Sequence, residues 1–119
     1  MKIMRVSLKS TNIKLSESTR EYVDWKLVRM VEKFLSKDGE PTMLDIEVGK
    51  TTRHHKTGPF FRAEANLKIG KTLLRAEEEA ETLNEAIDEV EYELGREIKK
   101  FKERKRALML KGARRLKGL

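Results

Sequence analysis

TLNEAIDEVEYELGREIKKFKERKR, residues 82–106, is the stretch that decides how this chain folds. Leu83, Ala86, Ile87, Val90, Leu94, Ile98 and Phe101 recur every three or four positions, and most positions between them are charged. Wound at helical pitch they make one apolar stripe, so the spacing predicts an amphipathic helix. Thr82 stands where an N-cap belongs and Glu85 follows three residues later, the two halves of a capping box, which starts the helix near Leu83. Acids fill its first half (Glu85, Asp88, Glu89, Glu91, Glu93) and cations its second (Arg96, Lys99, Lys100, Lys102, Arg104, Lys105, Arg106). That order suits the helix macrodipole.

The dipole contributes only about 0.3–1 kcal/mol per well-placed charge and fades within the last turn, so it does not account for cations that continue beyond it. Residues 1–93 carry a net charge of −2 and residues 94–119 one of +9, which puts the whole +7 excess at the C-terminal end. Two readings follow. A cationic end of this density is the footprint of a protein that binds a polyanion, most often nucleic acid, through phosphate contacts and counterion release. The plainer reading is a solvated tail that keeps a small protein soluble.

At 119 residues the chain fits one domain with a single modest core. With 39% charged and 38% hydrophobic residues, the apolar positions must be placed economically. There is no cysteine, which excludes a disulfide framework, a thiolate metal site and a cysteine nucleophile. Met1–Leu15 alternates charged with apolar residues, unlike a signal peptide, and no run approaches the ~18 apolar residues of a membrane span. The expected compartment is the cytoplasm.

The period changes along the chain. Ile3 to Lys9 alternates, with Met4, Val6 and Leu8 on one side, as a half-buried strand does. Ser16 or Ser18 then offers an N-cap for a helix over about 17–35, whose inner stripe is Val23, Leu27, Met30, Val31 and Phe34. Trp25 falls off the stripe centre and is expected as a partly buried packing residue, with base stacking the lesser alternative. Asp38-Gly39-Glu40-Pro41 ends that helix. Leu44, Ile46 and Val48 mark a second strand, residues 49–59 a polar, basic connection, and Phe61, Ala63, Ala65, Leu67 and Ile69 a third strand. Gly70-Lys71 is a tight turn, and 72–77 returns as a fourth strand whose register Leu73 and Leu74 leave open. Residues 107–119 are expected as a basic, flexible tail behind a single domain over 1–106.

The order β-α-β-β-β-α predicts an α+β fold. The helix between the first two strands allows a parallel pair, and the short connections make an antiparallel meander of the rest. Both helices have one apolar stripe, so the economical arrangement is a two-layer sandwich: a four-stranded mixed sheet with both helices on one face and the other face open. Arg62, Lys68 and Arg75 are expected on that open face.

Little in the chain suits catalysis. His54 and His55 are adjacent, so in an extended segment they point opposite ways and chelate one metal poorly. No metal site and no cofactor is expected. Neither phosphate-cradling glycine motif occurs, and the carboxylates at 77–81 are consecutive, as in a solvated approach to a helix. An enzyme with a small-molecule substrate is therefore not expected. No exposed aromatic platform stands on the third strand, which favours recognition of nucleic-acid backbone and shape over single bases.

Several stretches together resemble the ribosome hibernation-promoting factor and protein Y family: NIKLSESTREYV at 12–23, FRAEANL at 61–67, LRAEEEAETLNEAIDEV at 74–90 and REIKKFK at 96–102. The likeness covers about residues 3–105. It implies a fold similar to a double-stranded-RNA-binding domain. It also implies a bacterial stress or stationary-phase factor that binds the small ribosomal subunit and its rRNA in the mRNA and tRNA channel, inhibiting translation by occlusion. Carried over by motif position, the RNA contacts fall on Lys26, Arg29 and Lys33 of the first helix and on Arg96, Lys99, Lys100 and Lys102 of the second. Arg75 is a further candidate that could equally bridge to Glu77. The chain ends without the dimerising C-terminal domain of long members and without the acidic tail of protein Y, so either a short form, monomeric off the ribosome, or a piece of a long form is expected; pairing or silencing of ribosomes stays open. The alternatives are a generic double-stranded-RNA-binding module and an RNA-associated adaptor using the acidic start of the second helix.

Overall fold

The computed structural model describes residues 4–35, 39–51 and 60–117. The elements follow the order β1 (Met4–Thr11), α1 (Glu17–Val23), a π-helical turn (Asp24–Val28), α2 (Arg29–Phe34), β2 (Thr42–Lys50), β3 (Phe61–Ile69), β4 (Thr72–Ala80) and α3 (Leu83–Lys117). The sheet runs β1-β2-β3-β4, with β1 parallel to β2 and the other pairs antiparallel, the mixed sheet that the alternation predicts. Residues His54 and His55 lie outside the described residues.

The core forms where the alternating strands meet the helical stripes. Leu44, Ile46 and Val48 of β2, Ala63, Ala65, Leu67 and Ile69 of β3 and Leu74 and Ala76 of β4 face Ala86, Ile87, Val90, Leu94 and Ile98 of α3. Leu74 points inward and Leu73 outward, 62% exposed, which settles the register of β4. Small alanines at 63, 65 and 76 let α3 lie close over β3 and β4, its two main sheet neighbours. The β3–β4 turn has two residues, and its first needs a positive φ, which Gly70 supplies at +57°. A side chain there would also collide with the Glu40 carboxylate.

Helix starts follow the expected chemistry. Ser16 rather than Ser18 caps α1, its hydroxyl accepting from Thr19 N–H at 3.1 Å, and Thr82 accepts from Glu85 N–H at 3.1 Å at the start of α3.

Four sequence expectations need correction. First, the helix over 17–34 contains a π turn, in which Arg29 N–H donates to Asp24 O, five residues back. One extra residue in a turn rotates everything after it by about 100°. The buried stripe is therefore Val23, Leu27, Val28, Val31 and Leu35, while Met30 is half-buried and Phe34 is 41% exposed. Second, Trp25 is 59% exposed, touching Tyr22 edge-on at 6.1 Å between ring centroids. Third, β4 continues through Glu77, Glu78 and Glu79 to Ala80, so these acids belong to a strand and not to a solvated helix approach. Fourth, α3 does not end at Arg106: its 35 residues run as helix to Lys117 where a flexible tail is expected. At 1.5 Å per residue it is about 52 Å long, well past a nine-residue strand of about 30 Å. Beyond Phe101 it leaves the sheet and carries Leu108, Met109, Leu110 and Leu116 exposed.

Candidate nucleic-acid interface

The eight cations expected to contact RNA fall into three environments. Lys26 and Arg75 are held among acids. Lys26 Nζ lies 3.6 Å from Asp88 and 3.8 Å from Glu91, at the acidic start of α3, and stacks 4.9 Å above the Trp25 ring. Tyr22 donates its hydroxyl to the same Asp88, at 2.5 Å. That bond, with burial and the nearby carboxylates, pushes the phenol up to about 12. Lys26 thus ties the first helical segment to α3.

On the open sheet face, Arg62 binds Glu77 at 2.8 Å and Glu47 at 3.1 Å and also pairs with Glu64. Its hydrogen bond to Glu77 is the main reason its pKa is raised, and the same bond lowers that of Glu77. Arg75 joins the network through Glu77 at 2.8 Å and Glu64 at 3.5 Å. These guanidinium groups are neutralised in place, which is the bridging role open to Arg75 from sequence.

Arg96 and Lys100 occupy a second environment. One helical turn apart on α3, they line a groove with Glu78 of β4 and with Glu89, Glu93 and Glu97. Lys100 lies 3.9 Å from Glu97, and Arg96 stands 5.9 Å from the Tyr92 ring. Glu78 points to the helix side of the sheet edge. A hydrogen bond with Glu93 and partial burial, together with the charges of Glu93, Glu89 and Glu77, push its carboxyl up to about 7.

The third environment is a cationic flank. Lys99, Lys102 and Arg106 follow one another at three- and four-residue spacing, so they share one side of α3. All three are exposed, and Lys99 and Arg106 form no ion pair among the described residues. Lys102 donates to the Phe34 carbonyl at the C-terminal end of α2, the end where a helix dipole favours a cation. This contact seats the flank against the first helical segment, beside Phe34 and its exposed neighbour Lys33; Arg29, one turn back, is 71% exposed, loosely paired with Asp24 at 3.8 Å, and lines a depression with Glu17 and Glu21. The site built from these residues is a ridge of fixed positive charge where two helices meet.

Past the flank, Lys111, Arg114 and Arg115 extend the same charge along the projecting end of α3. Their abundance is plain in the sequence, but the end of the apolar stripe at Phe101 hides the helix that carries them. Among the described residues no group of three or more His, Asp or Glu could hold a metal, and no helix is long and apolar enough to cross a membrane.

A family model described as sigma 54 modulation protein / S30EA ribosomal protein matches residues 6–106. The chain belongs to this family. The match covers β1 from Val6, the other three strands, the first helical segment, and α3 through the cationic flank. Among relatives of this family, the "Ribosome hibernation promotion factor" of Picosynechococcus sp. is 28% identical over 101 residues, covering 85% of this chain and 50% of that protein. The chain thus spans about half the length of that curated relative. The N-terminal domain of Thermus thermophilus protein Y is similar in structure, with a TM-score of 0.63 at 25% identity, covering 85% of this chain and 99% of that one. A ribosomal subunit interface protein from Coxiella burnetii has the same fold, with a TM-score of 0.68 at 18% identity, over 84% and 99% of the two chains.

Proposed function

We infer that this chain is a ribosome hibernation factor acting in the cytoplasm. It docks on the small ribosomal subunit, between head and body, and its bulk occupies the path of mRNA and tRNA. The ridge where α2 meets α3 contacts rRNA phosphates, and translation stops because the channel is filled, with no bond made or broken. The observation that carries this reading is the family match over 6–106, a region that ends in the exposed Lys99, Lys102 and Arg106 flank. The names borne by the Picosynechococcus and Coxiella relatives support a ribosomal target.

Lys26 and Arg75 act as internal bridges, and Arg29, Lys33, Lys99 and Lys102 supply the phosphate contacts. Arg96 and Lys100, beside four carboxylates, contribute less. The test is cell-free translation with increasing protein, run with and without tRNA prebound to the small subunit. Inhibition that prebound tRNA delays supports occupancy of the channel. Inhibition indifferent to prebound tRNA, or relieved equally by an isolated RNA duplex, contradicts it and favours a generic duplex-binding module.

A further inference from the structure

The open face of the sheet is not uniform. The strand register stacks its outward side chains in four rows across the sheet. All five acids of this face, Asp45, Glu47, Glu64, Glu77 and Glu79, stand in three of those rows. The fourth row, nearest the β3–β4 turn, reads Arg5, Met43, Lys68, Leu73 across the four strands and holds no acid. Arg5 and Lys68 are exposed and form no ion pair among the described residues, unlike Arg62 of β3 and Arg75 of β4 in the other rows of this face. They stand two strand spacings apart, about 10 Å, with Met43 between them.

The three line an open depression of about 350 Å³, floored by Pro41 and Thr42 and bounded by Gly70. Leu73, 62% exposed, extends the apolar strip to the sheet edge. Beyond the turn the charge continues: exposed Lys71 follows Gly70, and Arg104 and Lys105 of α3 come down beside it on the helix side. Glu40, against Gly70 on that side, is the nearby acid. Cationic side chains therefore wrap this end of the molecule from α3 around the turn to the sheet.

We propose that the Arg5–Met43–Lys68–Leu73 row is a second RNA contact, which takes an unpaired segment of the polynucleotide that lies along α3. The cations hold phosphates on either side, and the thioether of Met43 with the Leu73 side chain gives a base an apolar face to rest on. The charge favours RNA over a protein partner, because neither cation of the row forms an ion pair among the described residues and Lys71 and Arg104 carry positive charge on around the turn towards α3. At about 350 Å³ the depression has room for a base. This inference rests on the ribosomal reading above.

The test measures binding of four proteins to small subunits across a salt series: wild type, an Arg5→Gln/Lys68→Gln variant, an Arg5→Lys/Lys68→Arg variant and a Lys99→Glu variant. Loss of two phosphate contacts lowers the slope of log K against log salt by about 2. An Arg5→Lys/Lys68→Arg variant keeps the wild-type slope. A photo-crosslinking residue at Met43 is expected to join to rRNA. The row is refuted if the glutamine variant keeps wild-type affinity and slope while Lys99→Glu weakens binding, an outcome that leaves the ribosomal reading intact. Crosslinks from Met43 to ribosomal protein alone also overturn it. If wild-type protein does not bind small subunits at all, the ribosomal reading fails and this inference with it.

Discussion

At the scale of single residues, similar side chains do different work according to what faces them. Lys26 and Lys99 are both helical lysines within the matched region, yet one lies between Asp88 and Glu91 and the other faces solvent. Lys26→Ala is expected to cost on the order of 1 kcal/mol in urea unfolding, the range for a partly exposed bridge, and to affect small-subunit binding less than Lys99→Glu does. Lys99→Glu should leave stability within about 0.5 kcal/mol, as surface substitutions usually do. The opposite ranking in either assay would reverse the two roles. No sequence pattern separates these lysines, because Asp88 and Glu91 reach Lys26 only after the helices pack.

Glu78 makes a pH prediction at the same scale. Its carboxyl titrates near 7 in the folded chain against 4.5 for the free group, so between those values the native state holds more protons than the unfolded one. Stability from this group is complete below pH 4.5 and is lost as pH rises through 7. The groups around it are Glu77 on its own strand and Glu89, Tyr92, Glu93, Arg96, Glu97 and Lys100 on α3. Glu78→Gln, which keeps the hydrogen bond without the charge, should flatten the decline in melting temperature between pH 5 and 8 and raise it most at pH 8. An unchanged pH profile would show that Glu78 titrates like an ordinary carboxylate.

At the scale of elements, the strands were readable because alternation has a period of two and each strand keeps its phase. In the first helical segment Val23, Leu27 and Val31 are buried as their spacing predicts, but Val28 and Leu35 take the inner places expected of Met30 and Phe34, since a π turn is an irregularity that composition does not announce. Its consequence can be measured. Leu35→Ala should destabilise by about 2–5 kcal/mol, the cost of emptying a fully buried site, whereas Phe34→Ala should cost under about 1 kcal/mol. A regular helix through 34 predicts the reverse order. The length of α3 was equally hidden: after Phe101 the stripe meets no sheet, and Lys105 and Gly112 interrupt it, so only local helix preference carries the chain to Lys117.

At the scale of the whole molecule, the order of elements and the two-layer packing followed from periodicity, and the cationic end from summed charge. The division of those cations into bridged, acid-lined and solvent-facing did not, because it depends on which carboxylates the folded chain brings alongside. The result is a molecule 65 Å long, 30 Å wide and 18 Å thick, in which Glu47, Glu64 and Glu77 hold Arg62 and Arg75 of the sheet and Asp88 and Glu91 at the start of α3 hold Lys26. Exposed positive charge lies along the outer half of that helix and around the β3–β4 turn, where Lys99, Arg106, Arg5 and Lys68 form no ion pair among the described residues. Such a body presents a polyanion with fixed charge that need not reorganise on contact.

Sedimentation of the protein with separated ribosomal subunits, at low and at high salt, tests this account most directly. At low salt the protein is expected to travel with the small subunit, high salt to strip it off, and Lys99→Glu/Arg106→Glu to stay behind while melting like the wild type. Wild-type protein left entirely at the top of the low-salt gradient would contradict it.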